Sequence, residues 1–384
     1  MVGQEKCSLI LYFFARANNK HSSFEPRDKV SKLHCARSLG TTSFAPLGVS
    51  VLGVLPVVSQ IPHVILFSIL IASAVQWRYT KLAAFAFHAL SGAILLIFPS
   101  FVNSPTIIGS FDAAHYYLQR FPAAFHIGFA VFNFRNQHDK IRTEPVIHLA
   151  KAVAAALILV TKLLTAYHMF ETKARGIIVS PNYLSCALLV DGTWLAVEAY
   201  RLFKQSYSVG DEIDIMVKRT QSWIEGRTSR DSQIIFWLDS AASFLYAFLT
   251  FGFPAYLIKF VTRREYNVDH YHELFEREFA CHSLVPAIIS LVATQFPVNH
   301  QKSYIMQRIV TQSIIFGLHF FGHFVLGIYN VSHLAPLLVS GFYISLLICI
   351  YIRVNNELQS EQASDQNGPH ATTTYTVKKT TKAL

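Results

Sequence analysis

Charged residues are scarce in this chain of 384 residues. They make up 15% of it, against 52% hydrophobic residues, whereas ordinary soluble domains are about 25% charged. This composition excludes an ordinary soluble globular protein and predicts a lipid bilayer as the environment and main partner. The net charge of +10 does not indicate a nucleic-acid partner, because the basic residues collect in the tails and in particular loops.

Cysteine and the common catalytic motifs are also rare or absent. The five cysteines are odd in number and scattered without a CxxC spacing, so they support neither a disulfide framework nor a zinc site. The motifs GxSxG, HExxH, GxxxxGK[ST] and GxGxxG do not occur. The sequence therefore identifies no catalytic residue and no cofactor.

Long apolar runs fill most of the chain. A spanning helix requires roughly 20 mainly apolar residues. We interpret eight runs as spans: 81–102, 121–134, 146–170, 183–203, 234–258, 279–296, 304–329 and 335–352. The pattern predicts an all-α, polytopic transmembrane helical bundle of about eight spans. Residues 57–77 form a ninth candidate, which either spans or lies at the interface, because Gln60, Pro62 and His63 interrupt its first part.

The basic residues of the loops predict the orientation of these spans. With eight spans, most Lys and Arg fall on the side of both termini, which places the termini in the cytosol. The membrane is expected to belong to the endomembrane system or to be the plasma membrane. The sequon Asn330-Val331-Ser332 falls on the opposite side, which makes Asn330 a glycosylation candidate.

The spans and loops predict six segments. They are a basic cytosolic N-terminal tail (1–56), an apolar segment that is an extra span or an interfacial helix (57–80), a first four-helix membrane unit (81–203), a charged cytosolic linker (204–233), a second four-helix membrane unit (234–352) and a disordered polar C-terminal tail (353–384).

The order of features in the first unit returns in the second at an offset of 155 residues. The matching positions are Phe98-Pro99 with Phe253-Pro254, His115-Tyr116 with His270-Tyr271, His168 with His323, and Pro181 with Pro336. In each unit an apolar helix ends in Phe-Pro, a polar loop carries His-Tyr, and a later helix has His in its last part. The pattern predicts two tandem four-helix repeats related by an axis along the membrane normal.

The start of each unit also resembles known membrane proteins. The first helix ends in Phe-Pro, and the second opens with Arg and an aromatic residue before small residues, at 120–123 and at 277–280. This arrangement is similar to the p53-inducible protein 11 and DoxX-like groups of small membrane proteins. The resemblance implies tandem four-helix membrane units and, for the p53-inducible type, little chemistry.

Four of the charged residues inside the apolar runs are candidate site residues, because intramembrane ionisable groups tend to face partners or a wet cavity. Lys162 and Asp191 lie at similar depths on consecutive helices, which makes an ion pair geometrically reasonable. Glu198 is expected to lie level with Asp239 near the cytosolic end. Two interpretations stay open: Lys162 and Asp191 neutralise each other and fix packing, or the carboxylates line a path for a polar substrate or a proton.

Five histidines are expected on the non-cytosolic side. They are His115, His168, His270, His319 and His323. The last two are four residues apart on one helical face, a spacing that can place two imidazoles on one metal, and the segment 269–273 could supply more ligands. However, the HxxHH box of histidine-box membrane enzymes is absent. The alternative is histidines that form hydrogen bonds between helices, so no metal-binding residue is assigned.

Three functions remain open from the sequence. The favoured one is a non-enzymatic multipass membrane protein with a structural or regulatory role. The first alternative is a carrier or channel for a small solute, lipid or proton that uses the intramembrane charges. The second is a membrane-embedded enzyme with a non-cytosolic histidine site. The sequence specifies no protein partner and leaves a homo-oligomer open.

Overall fold

The computed structural model describes residues 48–75, 80–100, 107–108, 112–137, 144–172, 178–179, 186, 188–204, 231–263, 266 and 268–367, with five single positions between 214 and 225. The described residues from 50 onward belong to one compact unit. The described part is helical apart from two short strands and the connecting turns. The predicted N-terminal tail up to residue 47 and the C-terminal tail from residue 368 lie outside the described residues.

Eleven α-helices are named here in chain order. They are α1 (Gly48–Val75), α2 (Thr80–Ile97), α3 (Ala113–Leu118), α4 (Phe121–Arg135), α5 (Glu144–Thr172), α6 (Thr193–Lys204), α7 (Asp231–Gly252), α8 (Pro254–Val261), α9 (His270–Val292), α10 (Val298–Phe320) and α11 (Leu334–Asn367). The π-turns Leu188–Gly192 and Phe321–Val325 precede α6 and follow α10, and the 3₁₀ turns Ala293–Gln295 and Val331–His333 follow α9 and precede α11. The strands β1 (Ile107–Ile108) and β2 (Ile178–Val179) pair antiparallel.

Four helical segments are long and apolar enough to cross a membrane. They are Pro145–His168, Ile234–Gly252, His270–Gln295 and Val331–Asn356, and two shorter apolar helices cover Ile61–Ala74 and Lys81–Ile97. The predicted runs 121–134 and 183–203 form shorter helices. The run 304–329 forms α10, which begins at Val298 and includes Lys302 and Arg308 and is therefore more polar than expected. Thus the all-helical class and the membrane-length helices are confirmed, whereas the number of spans stays a prediction.

Three predicted boundaries differ from the structure. Helix α1 begins at Gly48, inside the predicted tail. Helix α9 begins at His270, nine residues before the predicted span, because Asp269 caps its first turn. Helix α11 continues to Asn367, so 353–367 is not the disordered start of a tail; Glu and Gln, which are frequent there, favour helix.

The helices pack in a regular set of pairs. Helix α2 packs on α4, α7 on α9, α5 on α6, and α10 on α11, while α5 also packs on α9 and α10 on α4. Small residues allow the closest approach: a Cβ atom at Gly128 of α4 would lie 2.1 Å from Oγ1 of Thr311 and 3.2 Å from the Gln307 carbonyl oxygen. The packing of α4 and α10 therefore requires glycine at this position.

Helices α7 and α11 carry the apolar surface. Phe244 and Phe248 of α7, and Leu338, Val339 and Phe342 of α11, are more than half exposed. A surface of large apolar side chains on membrane-length helices is suited to contact with lipid. Asp239 of α7 is buried between the helices.

Candidate functional site

A polar cavity of about 120 Å³ lies among α1, α2, α4, α5, α9 and the π-turn before α6. Its apolar wall includes Phe87, Ile158 and Trp194. Its polar lining includes Lys162, Asp191, Glu278, His126, His282, Gln119, His63 and Ser91. A polar cavity of this volume has room for several water molecules and is smaller than the roughly 300–1,000 Å³ of sites for drug-sized ligands.

Lys162 lies between two carboxylates at this cavity. Its Nζ is 2.6 Å from Oδ2 of Asp191 and 3.2 Å from Oε1 of Glu278. Asp191 lies in the π-turn that precedes α6, an irregular backbone that turns the carboxylate inward. The structure thus brings together Lys162 and Asp191, and it adds Glu278. With all three groups ionised, the cluster carries one uncompensated negative charge.

A chain of three histidines leads away from the cavity. Nε2 of His282 is 3.3 Å from Nε2 of His126, and Nδ1 of His126 is 3.0 Å from Nδ1 of His88. Nζ of Lys151 lies 3.4 Å from Nε2 of His88. All four side chains are buried, so the chain is shielded from lipid and bulk solvent.

The hydrogen bonds of this chain have one consistent direction. Nδ1 of His282 donates to the Glu278 carbonyl oxygen at 2.8 Å, so its Nε2 is the acceptor in the neutral ring. His126 therefore donates from Nε2 and accepts at Nδ1, and His88 donates from Nδ1 and accepts from the Lys151 ammonium at Nε2. These tautomers follow from the partners of each nitrogen. Each imidazole then receives on one nitrogen and donates from the other, as a proton relay requires.

Glu198 has fixed partners beside this chain. Its Oε2 is 2.5 Å from Nδ1 of His148, and its Oε1 accepts from Nη1 of Arg201 at 3.3 Å. Arg201 also donates to Oγ of Ser73 at 3.0 Å. Glu198 and its partners are buried, and they hold α6 to α5 and α1.

Asp239 belongs to a different network from that of Glu198. Arg308 donates to its Oδ1 from Nη2 at 2.8 Å, and Nε of Arg308 lies 3.2 Å from both carboxylate oxygens. Ser290 donates to Oδ2 and also contacts the Tyr304 hydroxyl. Asp239 was expected to lie level with Glu198. The two carboxylates belong to separate buried networks, because Asp239 pairs with Arg308 of α10 and Glu198 pairs with His148 and Arg201.

His115 lies at the N-terminus of α3 next to the N-terminus of α9. Asp112 caps α3 and its Oδ1 accepts from the His115 backbone N–H, while Asp269 caps α9 and its Oδ1 accepts from the His272 N–H. Nε2 of His115 reaches across to Oδ2 of Asp269 at 2.9 Å. The His115 ring also contacts that of His272, with centroids 3.7 Å apart, whereas His270, which matches His115 at the offset of 155, contacts His168.

The other candidate histidines fall into two further sets. The His168 and His270 rings contact edge to face, with centroids 4.5 Å apart. Nδ1 of His319 is 2.8 Å from Nε2 of His333, and the His323 and His333 rings stack at 5.5 Å. The contacts among the described residues therefore do not join the five predicted histidines into one metal site.

The amide of Asn330 is used by the fold. Its Nδ2 donates to the carbonyl oxygens of Phe260 and Thr262, at 3.0 and 2.9 Å, and its Oδ1 accepts from the Ser332 N–H at 2.8 Å. Glycosylation at Nδ2 would remove at least one of these hydrogen bonds. The sequon stays a prediction that the local hydrogen bonding disfavours.

Several site residues were not predicted from the sequence. Glu278 stands one position before the predicted span that begins at Phe279. His88 and His126 lie inside apolar runs, and an ionisable residue in such a run was the available signal. The signal for Arg308 was of the same kind.

Fold and site define a helical protein with membrane-length apolar helices, two of which, α5 and α9, line a cavity that holds a lysine and two carboxylates. The chain belongs to the family described as "Domain of unknown function (DUF8292)", whose model matches residues 82–351. This range holds Lys162, Asp191 and Glu278, the histidine chain and both capping aspartates. No curated protein and no solved structure matches the chain.

Proposed function

We propose that this protein is a polytopic membrane protein that conducts protons through the cavity at Lys162 and the chain of His282, His126 and His88. The observation that carries the proposal is the unbroken series of titratable side chains from the cavity to Lys151, with successive nitrogen atoms no more than 3.4 Å apart. Buried ionisable groups are costly within a bilayer. A purely structural role requires far fewer of them.

The length of the chain supports a path along the membrane normal. Lys151 and Lys162 lie on the same helix, α5, and 11 residues of α-helix correspond to about 16 Å. This is about half of the roughly 30 Å hydrocarbon core. Water in the cavity would provide the continuation beyond Lys162.

The proposed mechanism uses the two nitrogens of each ring. A proton from Lys151 binds Nε2 of His88, and the Lys151 amine takes up the next proton from the aqueous phase. His88 releases its Nδ1 proton to His126, and His126 passes its Nε2 proton to Nε2 of His282, which becomes an imidazolium at the cavity. Asp191 and Glu278 stabilise this cation, and the Glu278 carboxylate accepts the Nε2 proton of His282 by way of cavity water.

The size and charge of the cavity favour a proton over a larger solute. The volume of about 120 Å³ accommodates several water molecules or one small solute, whereas the buried histidine chain beyond it can carry only a proton. The packing interpretation, in which Lys162 and Asp191 only neutralise each other, does not account for Glu278 or for the three histidines. The enzyme interpretation requires a reacting substrate, for which this cavity is small.

Within this proposal the chain has eight spans in two tandem four-helix repeats, with both termini in the cytosol. Equivalent contacts support the repeats: Nε of Arg120 donates to the Leu96 carbonyl oxygen at the end of α2, and Nε of Arg277 to the Phe251 carbonyl oxygen at the end of α7. The two capping aspartates match as well. These pairs support an offset near 157 at this point, and the likeness to p53-inducible protein 11 and DoxX-like proteins stays part of the proposal.

Proton flux into liposomes tests the function. Purified full-length protein is reconstituted with an internal pH dye, and a potassium gradient with valinomycin provides the driving force. We expect proton uptake that needs no added solute, and we expect Glu278→Gln to slow it at least about tenfold, which is about 1.4 kcal/mol of barrier.

Glu273→Gln is the matched control on the same helix. Glu273 pairs with Arg277 at 3.1 Å and is partly exposed, outside the cavity, so this variant should retain normal flux. Wild-type flux no greater than that of empty liposomes would refute the proposal, and so would equal flux in folded Glu278→Gln and wild-type protein.

A further inference from the structure

We propose that His115, His272, Asp112 and Asp269 form a binding site for one divalent transition-metal ion of the Zn²⁺ type. The site is separate from the cavity and does not depend on proton conduction. Its ligands come from the N-terminal ends of α3 and α9, which lie side by side.

The distances suit a metal with two nitrogen and two oxygen ligands. Nε2 of His115 is 2.9 Å from Oδ2 of Asp269, and Nε2 of His272 is 3.5 Å from Oδ1 of Asp112. The ligand atoms of Asp112, His115 and His272 all lie within 4.8 Å of one another. Ligand atoms on a tetrahedral metal with bonds of about 2.0–2.2 Å lie about 3.3–3.6 Å apart, so small rotations of the two rings suffice.

An unsatisfied nitrogen points to a missing ligand. His272 is 1% exposed, and Nε2 of its ring forms no hydrogen bond with any group in the described part of the chain. Buried polar atoms without a partner are rare, because leaving one unpaired costs free energy. A metal ion bound at Nε2 would satisfy this atom.

The capping boxes orient both rings for this role. Nδ1 of His115 is 2.8 Å from Oδ1 of Asp112, and Nδ1 of His272 is 2.8 Å from Oδ1 of Asp269. When each Nδ1–H donates to the aspartate that caps its own helix, Nε2 keeps its lone pair and faces the aspartate of the other helix. Metal-ligating histidines are commonly fixed in this manner through their second nitrogen.

The charges of the four side chains suit a divalent ion. Two carboxylates and two neutral imidazoles would make a site of zero net charge with a divalent ion. Such nitrogen and oxygen ligands suit Zn²⁺ or Co²⁺ better than soft thiolate-seeking ions.

Metal titration of tag-free, chelator-treated full-length protein tests the site. We expect calorimetry to give one Zn²⁺ per chain, and Zn²⁺ to raise the thermal unfolding temperature. His272→Gln should weaken binding at least about 100-fold while Gln at this position retains the capping box. His270→Gln is the matched control, because His270 is two residues away and contacts His168 instead.

Co²⁺ absorption of the wild-type protein gives a second measurement that does not depend on any variant. A four-coordinate nitrogen and oxygen site should give intense visible bands. Absence of stoichiometric Zn²⁺ binding, a weak six-coordinate Co²⁺ spectrum, or unchanged affinity in His272→Gln would each overturn the proposal.

Discussion

Two of the buried ion-pair regions in the described part of the chain, Asp239 with Arg308 and Lys162 with its two carboxylates, differ in what surrounds the charges. At Asp239 and Arg308, three hydrogen bonds join the guanidinium to the carboxylate. The hydroxyl groups of Ser243 and Tyr343 accept from Arg308 as well. At Lys162, one ammonium divides its contacts between two carboxylates that border a cavity. The Asp239 and Arg308 side chains are held by fixed protein partners, as expected of charges that only hold helices together. The charges at Lys162 border a cavity, as expected of groups that gain or lose a proton.

A second contrast concerns the basic residues themselves. Lys151 on α5 and Arg308 on α10 are 157 positions apart, the same interval as the two capping aspartates. Lys151 contacts a histidine, and Arg308 contacts a carboxylate. A lysine can release its proton in a buried environment, but an arginine cannot. The difference matches a relay on one side of the protein and a permanent ion pair on the other.

The largest expected effect on stability comes from breaking the ion pair between Asp239 and Arg308. Asp239→Leu leaves the Arg308 guanidinium buried without its counter-ion, which should lower the free energy of unfolding by about 3–5 kcal/mol. The double variant Asp239→Leu with Arg308→Met should recover most of that loss. Thermal unfolding in detergent measures the stability of the single and the double variant. Wild-type stability of Asp239→Leu would show that the ion pair does not hold the helices together.

Overpacking the helix contact beside this ion pair should have an intermediate effect. A methyl group at Gly128 would collide with Thr311 and the Gln307 backbone, so Gly128→Ala should destabilise the protein by about 1–3 kcal/mol. Gly317→Ala on α10 is the control, because no atom lies within 4 Å of its added Cβ. Helix propensity alone should then make Gly317→Ala neutral or more stable by up to about 1 kcal/mol. Equal unfolding temperatures for the two variants would show that α4 and α10 are not closely packed.

The smallest effect on stability is expected at the cavity. Lys162→Met removes the ammonium, but Asp191 and Glu278 still face cavity water or take up a proton, so the loss should be about 1 kcal/mol. Proton flux in liposomes should nevertheless fall strongly, since one charge of the proposed path is gone. If the same unfolding experiment shows a stability loss as large as that of Asp239→Leu, then Lys162 serves mainly to hold the helices together.

Local sequence features predicted the helices well and the partners of the site residues poorly. Long apolar runs predict helices without knowledge of the tertiary contacts. The similar depths of Lys162 and Asp191 on consecutive predicted helices were sufficient to predict their ion pair. The pairing of His126 with His282 joins α4 to α9 across 156 positions, so it depends on tertiary packing that one sequence does not encode visibly. The N-terminus of α9 was misjudged because polar residues at 270–273 interrupt the apolar pattern although Asp269 caps a helix there.

The direction of the histidine hydrogen bonds has a kinetic consequence. After one proton has crossed, His88 and His126 have exchanged their tautomers, and the chain points the opposite way. A second proton can follow only after these rings rotate, and both rings are packed against Phe87 and Trp194. Both rings must therefore rotate back before the next proton can cross. The rate of proton conduction would be limited by this rotation and not by the supply of protons.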